Sequence, residues 1–160
     1  MLKIFLVLIL TSVLLSCAST PSFDVSDVDR ALTPADVIDK PELKLGKIAL
    51  WGGTILGLKN LKESTQIEML AYPLDSSHRP RLEEKTLGRF IIQHQGYLEP
   101  EVFTQGKQLS VAGKVGQSVT GKIGDSDYTY PLIHSRNIRL WTRGAGRTNF
   151  QFGIGIHLSN

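Results

Sequence analysis

The only cysteine of the chain, Cys17, stands at the end of an apolar leader. Met1-Leu2-Lys3 is a short basic start, Ile4 to Leu10 is continuously apolar, and Leu14-Leu15-Ser16 runs directly into the thiol. Sulfur in this position can serve as the nucleophile that takes up diacylglycerol, and Leu14-Leu15-Ser16-Cys17 looks like a bacterial lipobox, in which a peptidase cuts before the lipidated cysteine. The apolar run is shorter than the roughly 18 to 20 residues of a stable bilayer span, and small residues rather than a basic cluster follow it. An export signal over residues 1–16 is therefore expected. With no second cysteine to pair with, an exported thiol makes most chemical sense when lipid consumes it. Cys17 is thus the expected lipidation site, carrying diacylglycerol and a palmitate-type acyl chain. Ala18, not aspartate, follows it, which favours the outer membrane with the domain facing the periplasm.

Other chemistry is less well supplied. Gly116-Gln117-Ser118-Val119-Thr120-Gly121-Lys122 matches the first part of a phosphate-binding loop, but Ile123 stands where Ser or Thr would hold magnesium, and Gly124-Asp125 signals a turn instead of a helix. A Gly-rich hairpin is the better reading. His78, His94, His134 and His157 are too scattered for a metal pair, so no metal or other cofactor is expected. Glu83-Glu84 and Asp125/Asp127 lie beside turn signals, where carboxylates are usually solvated. No serine has the surroundings of a nucleophile elbow. A catalytic site is not expected.

The candidate binding residues are aromatic and cationic. Trp51, Tyr72, Tyr97, Tyr128 and Tyr130, with Phe90 and Trp141, could form a stacking surface, with Arg79 and Arg89 joined by Arg81, Arg136, Arg139 and Arg143 at its edges. The competing reading puts the tryptophans and phenylalanines in the core, with the arginines capping the sheet or facing anionic headgroups. Asp75, close to Arg79 and Pro80, is either a ligand contact or a carboxylate that stabilises a turn with the nearby guanidinium.

These side chains need a scaffold, and the chain has the material for one small domain. Of 160 residues, 41% are hydrophobic and 21% charged, with 15 glycines, a composition of turn-rich globular domains rather than extended disorder. A formal charge of +3 is too weak to make nucleic acid an expected partner. Ser19 to Arg30 reads as a tether. Thr33-Pro34-Ala35-Asp36 predicts a short helix to about Ile38, stopped by Pro41. From Lys47 the hydrophobic period becomes two, which predicts strands at Lys47–Ile55 with a Gly52-Gly53 bulge, Thr65–Tyr72, Gly88–His94, Gln108–Val115 and Tyr128–Ile133. A sixth run, Ile138–Trp141, would close the sheet. Pro100 and Gly106 predict a short helix between strands three and four. This order fits an all-β, OB-like barrel of five to six strands, with a split β-sandwich as the alternative. Phe150, Phe152, Ile154 and Ile156 alternate with polar residues or glycine in a tail that either pairs as an extra strand or hangs free.

An ordered series of segments resembles the Slp-type outer membrane lipoprotein family. They are the lipobox at Cys17, Gly46-Lys47-Ile48-Ala49-Leu50-Trp51-Gly52-Gly53-Thr54-Ile55, Thr65 to Asp75, Arg79-Pro80 and Gly88-Arg89-Phe90, then Gly96-Tyr97-Leu98-Glu99-Pro100, Gly106 to Gly113, Tyr128-Thr129-Tyr130-Pro131-Leu132 and Trp141. The resemblance implies an acylated outer-membrane envelope protein, associated in some bacteria with starvation or stress, without an assigned catalytic site. The expected organisation is a signal peptide at 1–16, a lipid-anchored tether at 17–32, a Slp-type β-barrel domain at 33–145, and a tail or extra strand at 146–160. The expected function is a structural or interaction module, not an enzyme, whose partners are the membrane, through its lipid, and an envelope protein. The alternative is a binding module for an oligosaccharide or other extended polymer through an aromatic and basic barrel face.

Overall fold

The computed structural model describes residues 23–141; Cys17, Arg143 and the alternating tail at 150–156 lie outside them. Five strands, β1 (Ile48–Asn60), β2 (Ser64–Ala71), β3 (Arg89–Gln95), β4 (Gln108–Ile123) and β5 (Ser126–Trp141), form a closed barrel in the order β1-β2-β3-β5-β4. All pairings are antiparallel except β3 with β5, which is parallel. Closure leaves no sheet edge along the paired segments. β2 carries the plainest pattern: Thr65, Ile67, Met69 and Ala71 are buried, while the residues between them are partly exposed. Phe90 and Ile92 of β3 point to the same core, against Leu109, Val111 and Ile133.

The structure differs from expectation at five places. Residues 99–103 are a turn, not a helix: Phe103 N–H donates to the Glu99 carbonyl, but Gly106 N–H is already drawn to the Ile55 carbonyl at 2.8 Å. The chain must pair with β1 before a second helical turn can form. The two runs Tyr128–Ile133 and Ile138–Trp141 belong to one strand, because a register shift opposite Ala112 and Gly113 absorbs the polar stretch between them. A second shift, between Gly116 and Val119, lies opposite Pro131, where a strand can tolerate the missing N–H. Gly52 and Gly53 are in regular register with β4, and Gly53 with β2, and the irregularity of β1 falls between Ile55 and Gly57.

The fourth difference is the segment before β1. Residues 23–32, expected to belong to the tether, lie on the barrel as a strap: Asp29 N–H donates to the Ile48 carbonyl at 2.8 Å, and Leu32 is only 3% exposed. The strap leads into helix α1 (Pro34–Asp39), and Pro41 starts a second short helix, α2 (Pro41–Lys44), rather than merely ending the first. At α1, Thr33 and Asp36 form a capping box. The Asp36 N–H donates to the Thr33 hydroxyl, and Thr33 donates its hydroxyl and its N–H to the Asp36 carboxylate at 2.6 and 2.8 Å. These bonds, the hydroxyl first, hold the Asp36 carboxyl below the usual carboxylate range. A folded-state pKa depressed in this way contributes stability above the unfolded carboxylate value, and the contribution is lost as pH falls through the folded value. Thr33→Ala is expected to cost about 1 kcal/mol at neutral pH. In thermal unfolding its deficit should begin to shrink below about pH 4, where the unfolded carboxylate takes up its proton, and shrink further as the folded one does.

Candidate binding site

Hydrogen bonds and ring contacts sort the candidate residues into separate groups. Trp51 is 3% exposed and meets Phe90 edge-on, with ring centroids 5.2 Å apart. Its indole Nε1–H donates to the Leu32 carbonyl at 2.7 Å, so this tryptophan ties the strap to the barrel. Arg89 leaves the opposite face of β3 from Phe90. Its guanidinium donates to Glu68 at 2.8 Å, Tyr130 Oη–H donates to the same carboxylate oxygen at 3.2 Å, and Tyr128 Oη accepts the Arg89 backbone N–H at 3.0 Å. The two tyrosines meet edge-on at 4.7 Å. The Glu68 carboxylate raises the Arg89 pKa, while burial, then Glu68, raises that of Tyr130. Both members of the Arg89–Glu68 pair are about one-third exposed, which keeps its stabilisation small. Tyr97, 66% exposed, reaches Glu99 and joins neither group.

Tyr72 and Asp75 lie on the connection from β2 to β3, which folds back over the barrel. Tyr72 N–H donates to the Gly52 carbonyl at 3.0 Å, and the buried Ser110 hydroxyl donates to the His78 carbonyl. The Asp75 carboxylate accepts the backbone N–H groups of Ser77 and Arg79 at 2.8 and 2.9 Å. It stabilises the turn through main chain, whereas the Arg79 guanidinium goes to Gln108 Oε1 at 2.6 Å. The turn holds His78 at a φ of +69°, which a non-glycine residue adopts only under local constraint.

Between the strap and this connection lies a cavity of about 520 Å³, whose wall includes Leu32, Leu50, Leu74 and Leu87, with Arg30, Asp75 and His78 among its polar residues. Burial, reinforced by Arg30 and Arg139, holds the His78 imidazole below its ordinary pKa. Beside it is a ladder of rings and guanidiniums. Arg139 lies 5.1 Å from the Phe23 ring and 5.2 Å from the Trp141 ring, and Arg79 lies 5.8 Å from Trp141. Trp141 Nε1–H donates to Ser110 Oγ at 2.9 Å. Sequence reasoning included Arg79, Arg139 and Trp141 among its candidates but missed Phe23, because nothing local links it to a strand so distant in the chain.

Among the remaining charged candidates, Arg136 pairs with Asp24 of the strap at 3.3 Å. Arg81 pairs with Glu83 at 3.2 Å and Glu84 at 2.8 Å, and Lys122 faces Asp127 at 4.0 Å, all on exposed side chains. Residues 116–122 are strand, leading to the turn at Gly124-Asp125, not a loop before a helix. Among the described residues no group of three or more His, Cys, Asp or Glu side chains could hold a metal.

Fold and site together define a small β-barrel module with a strap-walled cavity on its flank. The chain belongs to the outer membrane lipoprotein Slp family, whose family model matches residues 14–153. It is 27% identical to the outer membrane protein Slp of Escherichia coli (strain K12) over 145 residues, 88% of this chain and 76% of that protein. It is 32% identical to the uncharacterized lipoprotein YeaY of the same organism over 66% of this chain and 54% of YeaY. A Haemophilus influenzae protein is 37% identical over 57% of this chain and 50% of its own length. The chain thus spans about half the length of these last two relatives. A small single-stranded DNA-binding protein from Streptomyces coelicolor has a similar structure at 11% identity and a TM-score of 0.35, over 59% of this chain and 94% of that one. Family membership makes the chain a lipoprotein of the bacterial envelope associated with the outer membrane.

Proposed function

We propose that this chain is a non-catalytic interaction module: an OB-like barrel, anchored through acylated Cys17 to the outer membrane and facing the periplasm, that presents a surface to another envelope component. The reading is carried by the way its carboxylates are used. Glu68 is held by Arg89 and Tyr130, Asp75 by the backbone of its own turn, and Asp36 by its helix cap. Groups so held organise structure and are not poised to exchange protons with a bound substrate.

A second reading, a binding module for an oligosaccharide or other extended polymer, is favoured by the ladder of Phe23, Arg139, Trp141 and Arg79, since alternating rings and cations suit a sugar polymer bearing anionic groups. Photocrosslinking amino acids placed at Arg139 and at the exposed Tyr97 separate the two in intact cells. A discrete protease-sensitive adduct from Arg139 supports the protein-interaction reading. A protease-resistant carbohydrate adduct from Arg139 supports the polymer reading instead. Absence of adducts at both positions, in cells that retain the protein in the outer membrane, would overturn both.

A further inference from the structure

The cavity beside the strap combines an apolar interior with a cationic lip. Its two walls are pinned to consecutive residues of β1, through the bond from Trp51 Nε1–H to the Leu32 carbonyl and the bond from Tyr72 N–H to the Gly52 carbonyl. Walls held this way are organised before any ligand arrives, so little binding energy is lost in ordering them. A volume of about 520 Å³ falls within the range of small-molecule sites, roughly 300 to 1,000 Å³. Leu32, Leu50, Leu74, Leu87, Ala71 and Pro73 supply most of the interior, which offers water few partners and an apolar chain many contacts.

The lip has a definite charge. Exposed Arg30 supplies its positive charge, while His78, whose protonation is disfavoured by burial, Arg30 and Arg139, lines the cavity as a neutral imidazole able to donate a hydrogen bond. The one carboxylate among the lining residues, Asp75, is turned to the N–H groups of Ser77 and Arg79. Among the described residues no carboxylate forms an ion pair with Arg30 or Arg139. A sugar would need polar partners inside the cavity that leucines cannot supply, and a folded protein surface could not enter a concave space of this size.

We propose that this cavity is an acyl-chain site for a single-chain amphiphile with an anionic head, the chain lying among Leu32, Leu50, Leu74 and Leu87 and the head meeting Arg30 and His78. A fatty acid and an anionic lysophospholipid share this chemistry. The assignment goes beyond the interaction reading and does not depend on acylation of Cys17.

The test uses the full-length Cys17→Ser chain, which carries no acyl group of its own, titrated with dansyl-undecanoic acid and followed by fluorescence. Saturable uptake of one probe per chain is expected. Leu74→Trp and Leu87→Trp should each weaken it by at least about tenfold, because an indole in the cavity takes the place of several buried methylenes. Circular dichroism reports whether each variant is folded. Arg30→Glu should weaken direct uptake of the probe, and the inhibition constant of palmitate corrected for it, each about threefold, while leaving the corrected constant of hexadecanol unchanged, as befits a partly solvated ion pair. Displacement by palmitate but not by lysophosphatidylglycerol identifies the ligand as a free fatty acid; displacement by both extends it to monoacyl membrane lipid. Absence of saturable uptake by the folded Cys17→Ser chain overturns the proposal, and so does unchanged uptake by both tryptophan variants when folded.

Discussion

Gly53→Val is expected to abolish the cooperative unfolding transition or lower stability by at least about 3 kcal/mol, the range reached when a tightly packed core is overfilled and cannot relax. Gly53 pairs with Ala71 on one side and Leu109 on the other, and a Cβ added there would run into the Leu70 backbone carbonyl. A side chain in the way could rotate aside. A carbonyl fixed in a barrel ladder moves only if the strand moves, and β2 is itself held by β3. Gly57 provides the control, because an added Cβ there meets nothing within 4 Å. Gly57 is half-buried, and Gly57→Ala should leave stability within about 0.5 kcal/mol of wild type, as substitutions that crowd no neighbour usually do. Denaturant unfolding of the two variants beside wild type checks both outcomes; near-native stability of Gly53→Val would show that close approach is not what requires glycine.

Cys17→Ser is expected to abolish incorporation of labelled palmitate and to release the protein from the membrane fraction. Each buried methylene contributes roughly 0.8 kcal/mol, so several acyl chains on one cysteine hold a small domain essentially permanently, whereas a chain without them keeps only weak surface attraction. Metabolic labelling and fractionation measure both effects. An unmodified Cys17 thiol in the intact mass of the wild-type protein would remove the basis of the anchor. The barrel should remain folded in Cys17→Ser, since its core and its closure are built from residues 32–141.

Strand positions were legible wherever inward and outward residues alternate without interruption, as in β2 and β3. β5 was harder because the polar run His134-Ser135-Arg136-Asn137 looks like a break, and only pairing with β4 shows that a shifted register carries the strand through it. The strap was read as a tether because its apolar residues have no regular spacing. Leu32 is buried through tertiary contact and its carbonyl is taken by Trp51, neither of which leaves a local pattern.

The candidate site was gathered by residue type, and strand parity would have divided it. Trp51 shares the odd-numbered face of Ala49 and Ile55, both buried in the core, while Arg89 has the opposite parity to Phe90 and Ile92. The cavity had no comparable signal. It arises where a strap and a long connection meet on one strand, and the contributing leucines look individually like any core residue.

Docking of the strap also shortens the leash. Phe23 is already against Arg139, and the Asp24 carbonyl accepts the Asn137 amide at 3.0 Å, so only residues 17–22 separate the lipid of an acylated Cys17 from the docked strap. Fully extended, such a segment reaches at most about 20 Å, against about 55 Å had all of 17–32 been free. With Cys17 acylated as proposed, the barrel would ride close to the lipid surface, and a partner would have to come to the bilayer to meet it.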